Sequence, residues 1–150
     1  MNQIYEKVLI ALDMEDKNME LLVKKAIFIC ELINPKETYI VYVNSPLAGT
    51  PSLVAGSIHE KREDVMDLEM KVKKVVPEEL FHKFNTTFIV NTGDPSEEVV
   101  KLTEELNIDL VIIGKKVRSG FESFFHLKVE HKILKNVKCD VFSLDLTNKS

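Results

Sequence analysis

Gly114, Lys115, Lys116, Arg118 and Gly120 lie between an apolar run, Leu110-Val111-Ile112-Ile113, and a stretch with helical patterning. A loop at such a junction is a common phosphate cradle, because glycine-rich backbone and a helix N-terminus aim N–H groups at an anion. Asp13 ends a second apolar run, Lys7 to Leu12. A carboxylate at the end of a strand can accept hydrogen bonds from ribose hydroxyls or a base; it can equally cap its own loop. The chemistry these residues suggest is the binding of an anionic, nucleotide-like ligand.

Other chemistries are poorly supplied. The chain has five glycines (49, 56, 93, 114 and 120), and neither GxxxxGK[ST] nor GxGxxG occurs. Neither HExxH nor GxSxG is present, so no metalloprotease helix or nucleophile elbow is indicated. His126 and His131 share one helical pattern but are spaced too widely to meet on one face, so no metal site is expected. Cys30 and Cys139 match no zinc or redox spacing and sit in apolar contexts, which reads as two reduced, buried thiols.

Charge bounds the partners. The net charge of −4 argues against general nucleic-acid binding. Between Lys115 and Lys138 seven cations face two carboxylates, leaving that segment at +5 and the remainder at −9. Such a local patch suits an anionic ligand or partner, or else a solvated helix face. No apolar run approaches the roughly 20 residues of a membrane span. The opening MNQIYEKVLIALD turns polar too soon for a signal peptide, so a cytoplasmic location is expected.

The elements that must position Asp13 and Gly114 follow from periodicity. Residues 7–13, 38–44, 86–90, 109–114 and 139–144 read as short apolar or β-branched strands. Between them lie helical patterns: one from Asp16 or Asn18 to about Ile33, one from Ser57 interrupted at Pro77, one from Pro95 and one near 121–136. Asp94 before Pro95 is a strong N-cap, with Glu97 placed for a capping box, and Asn107 suits a left-handed C-cap. The segment from Ser45 to Gly56 reads as a long loop, of a length that is usually functional or mobile. Strict β/α alternation over 150 residues predicts a single α/β domain: three layers, a five-stranded parallel sheet, helices on both faces. Ligands in such folds bind beyond the strands' carboxyl ends, where strand order reverses.

Four segments together resemble the universal stress protein family: KVLIALD at 7–13, YIVYVN at 39–44, GDPSEEVVKLTEELNIDLVIIG at 93–114 and CDVFSL at 139–144. The resemblance spans nearly the whole chain. It implies strand order 3-2-1-4-5 in a Rossmann-like, adenine nucleotide α-hydrolase-like fold. It implies a cytoplasmic, stress-linked role without established catalytic chemistry. It also implies a homodimer formed through the last strand, at Val141, Phe142, Ser143 and Leu144.

The family's ATP-binding branch carries G-x2-G-x9-G-[ST] after the fourth strand. Aligned from Gly93, its positions fall on Gly114, Val117, Leu127 and Lys128, so one of four is kept. Asp13 falls on the family's base- and ribose-contacting aspartate, Val43 on its adenine-packing valine, and Ala11 and Leu12 on the adjoining backbone positions. Ile113 and Val129 complete the implied pocket. A β-branched Val117 disfavours positive φ, and Leu127 would occupy phosphate space. Lys128 substitutes a cation for a hydroxyl; it either recruits an anion as a point charge or closes the pocket on Asp13.

Three functions follow in order. The first is a non-catalytic dimeric regulator with a protein partner that does not bind ATP in the usual way. The second is a sensor of ATP or another adenine nucleotide. The third, a slow ATPase, needs a bound phosphate chain and a positioned base that the sequence does not supply. Phe121, Phe124, Phe125 and Leu127 cannot all share one helical face; they read as core, or else some meet a partner or the 45–56 loop.

Overall fold

The computed structural model describes residues 4–12, 16–44, 58–115 and 121–146, with side chains described at 4–12, 19–44, 64–115 and 128–146. Among the described residues five strands and five helices follow in the order β1 (Lys7–Leu12), α1 (Asp16–Ile33), β2 (Glu37–Asn44), α2 (Ile58–Lys73), α3 (Glu78–Lys83), β3 (Thr86–Thr92), α4 (Pro95–Glu105), β4 (Leu110–Lys115), α5 (Phe121–Asn136) and β5 (Asp140–Asp145). The sheet is wholly parallel in the order β3-β2-β1-β4-β5. Among the described residues no helix is long and apolar enough to cross a membrane.

Alternation along each strand feeds two cores. Val8, Ile10 and Leu12 of β1 join Leu22, Val23, Ala26 and Cys30 of α1, and Leu68, Val72 and Phe81 of α2 and α3. Leu9 of β1, Val41 and Val43 of β2, and Val111 and Ile113 of β4 point the other way, onto Val99 and Leu102 of α4 and Ile133 of α5. Both faces of the sheet are thus covered, which is why its central strands are almost continuously apolar.

Local chemistry sets the helix ends. Asp94 Oδ1 accepts from Ser96 N at 2.9 Å and Glu97 N at 3.2 Å, with Pro95 at the first helical position. The side chain that turns back at this end is Glu98, which accepts from Asn91 Nδ2 at 3.3 Å; Glu97 is exposed. Gly93 has φ of 149°, a conformation costly for any side chain, and its N–H donates to Asn44 O at 3.0 Å. At the far end Asn107 is left-handed, with φ of 54°. Ile108 N donates to Thr103 O at 2.9 Å and Asn107 N to Glu104 O at 3.3 Å, a Schellman closure. Asn34 ends α1 in the same conformation, its N–H donating to Cys30 O at 2.7 Å.

Asp109 then starts the fourth strand by gripping the first. Its Oδ2 accepts from Glu6 N at 3.0 Å and Lys7 N at 2.9 Å. The thiols differ from expectation: both are free, but only Cys30 is buried, and Cys139 is half-buried at the start of the edge strand.

Candidate functional site

The strand order reverses between β1 and β4. Those two strands pair from Val8–Leu110 to Ile10–Ile112. By contrast β1 pairs with β2 as far as Leu12–Tyr42, and β4 with β5 as far as Lys115–Asp145. The two halves of the sheet therefore keep their own ladders while the central pair gives out first, at the carboxyl end. A crevice at this switch point is where open α/β sheets take ligands.

The described candidates divide by face. Val43 and Ile113 are buried in the α4/α5 core, and Ala11 and Val129 pack against it half-buried. These four residues, from β1, β2, β4 and α5, thus lie on one side of the sheet, within or against the α4/α5 core. Leu12 lies in the opposite core, so it can serve this side only through its backbone. Lys128 is exposed, one position from the inward-facing Val129 on α5. Asp13 and Val117 lie outside the described residues, as do the side chains of Phe121, Phe124, Phe125 and Leu127 and the 45–56 loop.

Gly114 has a packing reason to be glycine. It is extended within β4, and a Cβ built there would collide with Leu146 Cδ1, lie 3.2 Å from Leu146 Cγ and lie 3.6 Å from Leu22 Cδ2. Leu146, itself buried, follows β5 and is tied back by a bond of 3.0 Å from its N–H to Lys115 O. The contact is on the α1 side of the sheet, opposite Val43 and Ile113.

The sequence reading missed Asn91 and Glu98. Asn91 is the register partner of Val43, so its side chain shares that face, and Glu98 holds its amide from the first turn of α4. Strand parity was the available signal, since Asn91 is two residues beyond Ile89, which packs in the same core. Near them Asp94 has its carboxyl held below the usual range, first by the Ser96 hydroxyl and then by the Glu97 and Ser96 N–H groups, with Lys132 adding attraction. Among the described residues no cluster of His, Cys, Asp or Glu could hold a metal ion.

A wholly parallel sheet in the order 3-2-1-4-5, with helices between its strands, is a Rossmann-like, adenine nucleotide α-hydrolase-like fold. The chain belongs to the universal stress protein family, whose model matches residues 4–143. It is 30% identical over 145 residues to Universal stress protein MJ0531 of Methanocaldococcus jannaschii, covering 92% of this chain and 81% of that relative. Among solved structures it resembles a universal stress protein in complex with cAMP (TM-score 0.65, 17% identity, 96% of this chain and 99% of that one). It also resembles UspA from Lactobacillus plantarum (TM-score 0.67, 15% identity, 95% and 99%).

Proposed function

We propose that the protein is a non-catalytic, dimeric regulator of the cytoplasm that acts through a protein partner and does not hold ATP in its family's usual way. The observation that carries this reading is the Gly114–Leu146 contact. Gly114 is the one retained position of the phosphate motif, and packing on the α1 side accounts for it without a phosphate. Val117, Leu127 and Lys128 stand at the other three positions. Among the described residues β5 pairs on one side, with β4, and its outer edge supports self-association. Calorimetric titration with Mg-ATP tests the ligand half of the proposal: binding is expected to be no tighter than millimolar, and micromolar affinity overturns it. A mass measurement in solution tests the assembly half; a monomer at micromolar concentration overturns it.

One observation favours a second reading, an adenine-nucleotide sensor. Ala11, Val43, Ile113 and Val129 share one side of the sheet at the switch point, which supports a base packing on that side. A triphosphate loop is what the sequence lacks. That combination suits a nucleotide with a single phosphate, and a structural relative is known in complex with cAMP. On this reading AMP or cAMP binds more tightly than ATP in the same titration, and equal or absent binding of all three overturns it.

A further inference from the structure

A groove of about 360 Å³ runs between α1 and β5, lined by Lys24, Lys25, Phe28, Ile29 and Leu144. Beside it Phe28 and Leu32, one turn apart on α1, are 62% and 70% exposed. This is an apolar stripe at the rim of the sheet, next to a strand that among the described residues pairs on one side, with β4. We propose that the groove is the second half of a self-association surface, in which Asp140 of a second copy docks against Lys24 and Lys25 when the β5 strands pair. The inference rests on the reading that β5 is the dimer edge.

Two arguments select a second copy as the occupant. The first is area. A six-residue strand spans roughly 20 Å, so an edge seam about 10 Å thick covers about 200 Å² per partner. A stable interface needs roughly 800 Å² per partner. The edge alone falls short, and the groove with its exposed stripe is the adjoining apolar surface.

The second is charge and register. Phe142 and Leu144 pack on the α1 side of the sheet, and Asp140 shares their parity. Its carboxylate accepts from Tyr5 Oη at 2.8 Å on that same side. When two β5 strands pair antiparallel about an axis normal to the sheet, residues opposite each other share a face. Pairing centred on Phe142 sets Asp140 of the second copy opposite Leu144, and pairing centred on Ser143 sets it opposite Leu146. Either register delivers a carboxylate to the lysine-rimmed groove. Lys25 Nζ donates to Asp145 O at 2.6 Å, which holds its charge at the groove's lip. The contact is symmetric, so it forms twice per dimer.

The test is sedimentation equilibrium on the full chain at low salt, using K24E/K25E, D140K and S143P. Each charge reversal alone opposes like charges twice and raises the dimer dissociation constant at least about tenfold. Mixing K24E/K25E with D140K pairs opposite charges at both contacts, and dimer returns as the mixed species. Recovery on mixing also shows that both variants are folded. S143P disrupts edge pairing and gives monomer. Loss of dimer in S143P with no effect of either charge reversal overturns this proposal and leaves the β5 reading standing. Charge reversals that dissociate the dimer without recovery on mixing also overturn it. A monomeric wild-type protein overturns both.

Discussion

Leu146 packs on the bare Cα of Gly114, occupying the space where any larger residue would put its Cβ. The contact joins the end of the edge strand to the end of β4 and reaches Leu22 of α1. It explains a glycine that the sequence alone assigns to phosphate binding. Gly114→Ala is expected to destabilise the protein by about 1–2 kcal/mol through overpacking, measured by urea denaturation. In a Leu146→Ala background the same change should cost less than half as much. Equal cost in both backgrounds would remove Leu146 as the cause.

The cap of α4 is a pH-dependent contribution. Asp94→Ala removes acceptors for Ser96 N, Glu97 N and the Ser96 hydroxyl, and about 1 kcal/mol of stability should go with them at pH 7. The Asp94 carboxyl is held below its ordinary value of 3.8 in the folded protein. Its contribution is therefore present above that value and lost as pH falls through the lower, folded one. Melting curves of the two proteins should converge on acidification. A gap that stays constant down to pH 2 would contradict this.

Asp109 ties β1 to β4 through two backbone N–H groups. Asp109→Ala leaves Glu6 N and Lys7 N without that acceptor, at a cost of about 1–3 kcal/mol. Asp109→Asn keeps one acceptor oxygen and should recover part of the loss. Amide exchange at Glu6 and Lys7 is the direct readout, and unchanged protection in the alanine variant would exclude the latch.

The thiols should respond unequally to alkylation. Burial pushes the Cys30 thiol up to about 12. Cys139 is also raised, first by burial and then by the Asp140 and Asp109 carboxylates, but it is half-buried. Little thiolate exists at either site at neutral pH. Cys139 should react first and slowly, and Cys139→Ser should leave the native protein inert until it unfolds. Rapid labelling of Cys30 in folded protein would refute this ordering.

Lys128 is exposed next to the half-buried Val129 on α5, and on the nucleotide-sensor reading it meets the ligand's phosphate. If AMP or cAMP binds, Lys128→Ser should change its affinity by about threefold or more, read by calorimetry. An unchanged affinity would remove Lys128 from the site.

Much of this architecture is local. Asp94, Pro95 and Asn107 mark the ends of α4 because caps satisfy backbone groups within a few residues, and such bonds are written in adjacent sequence. Strands 7–12 and 110–115 were legible as continuous apolar runs because both faces of a parallel sheet are covered. The expected capping box was not: Glu97 and Glu98 are neighbours with the same chemistry, and only Asn91, brought alongside by β3, decides that Glu98 turns back.

The sequence by itself therefore determined the alternation of elements and their boundaries to within a residue or two, both consequences of short-range periodicity and hydrogen bonding. The tertiary structure decided which residues share a surface. Ala11, Val43, Ile113 and Val129 meet because strand order and parity point them the same way, and Gly114 meets Leu146 because β5 returns beside β4. Those contacts join elements far apart in the chain, and no local spacing encodes them.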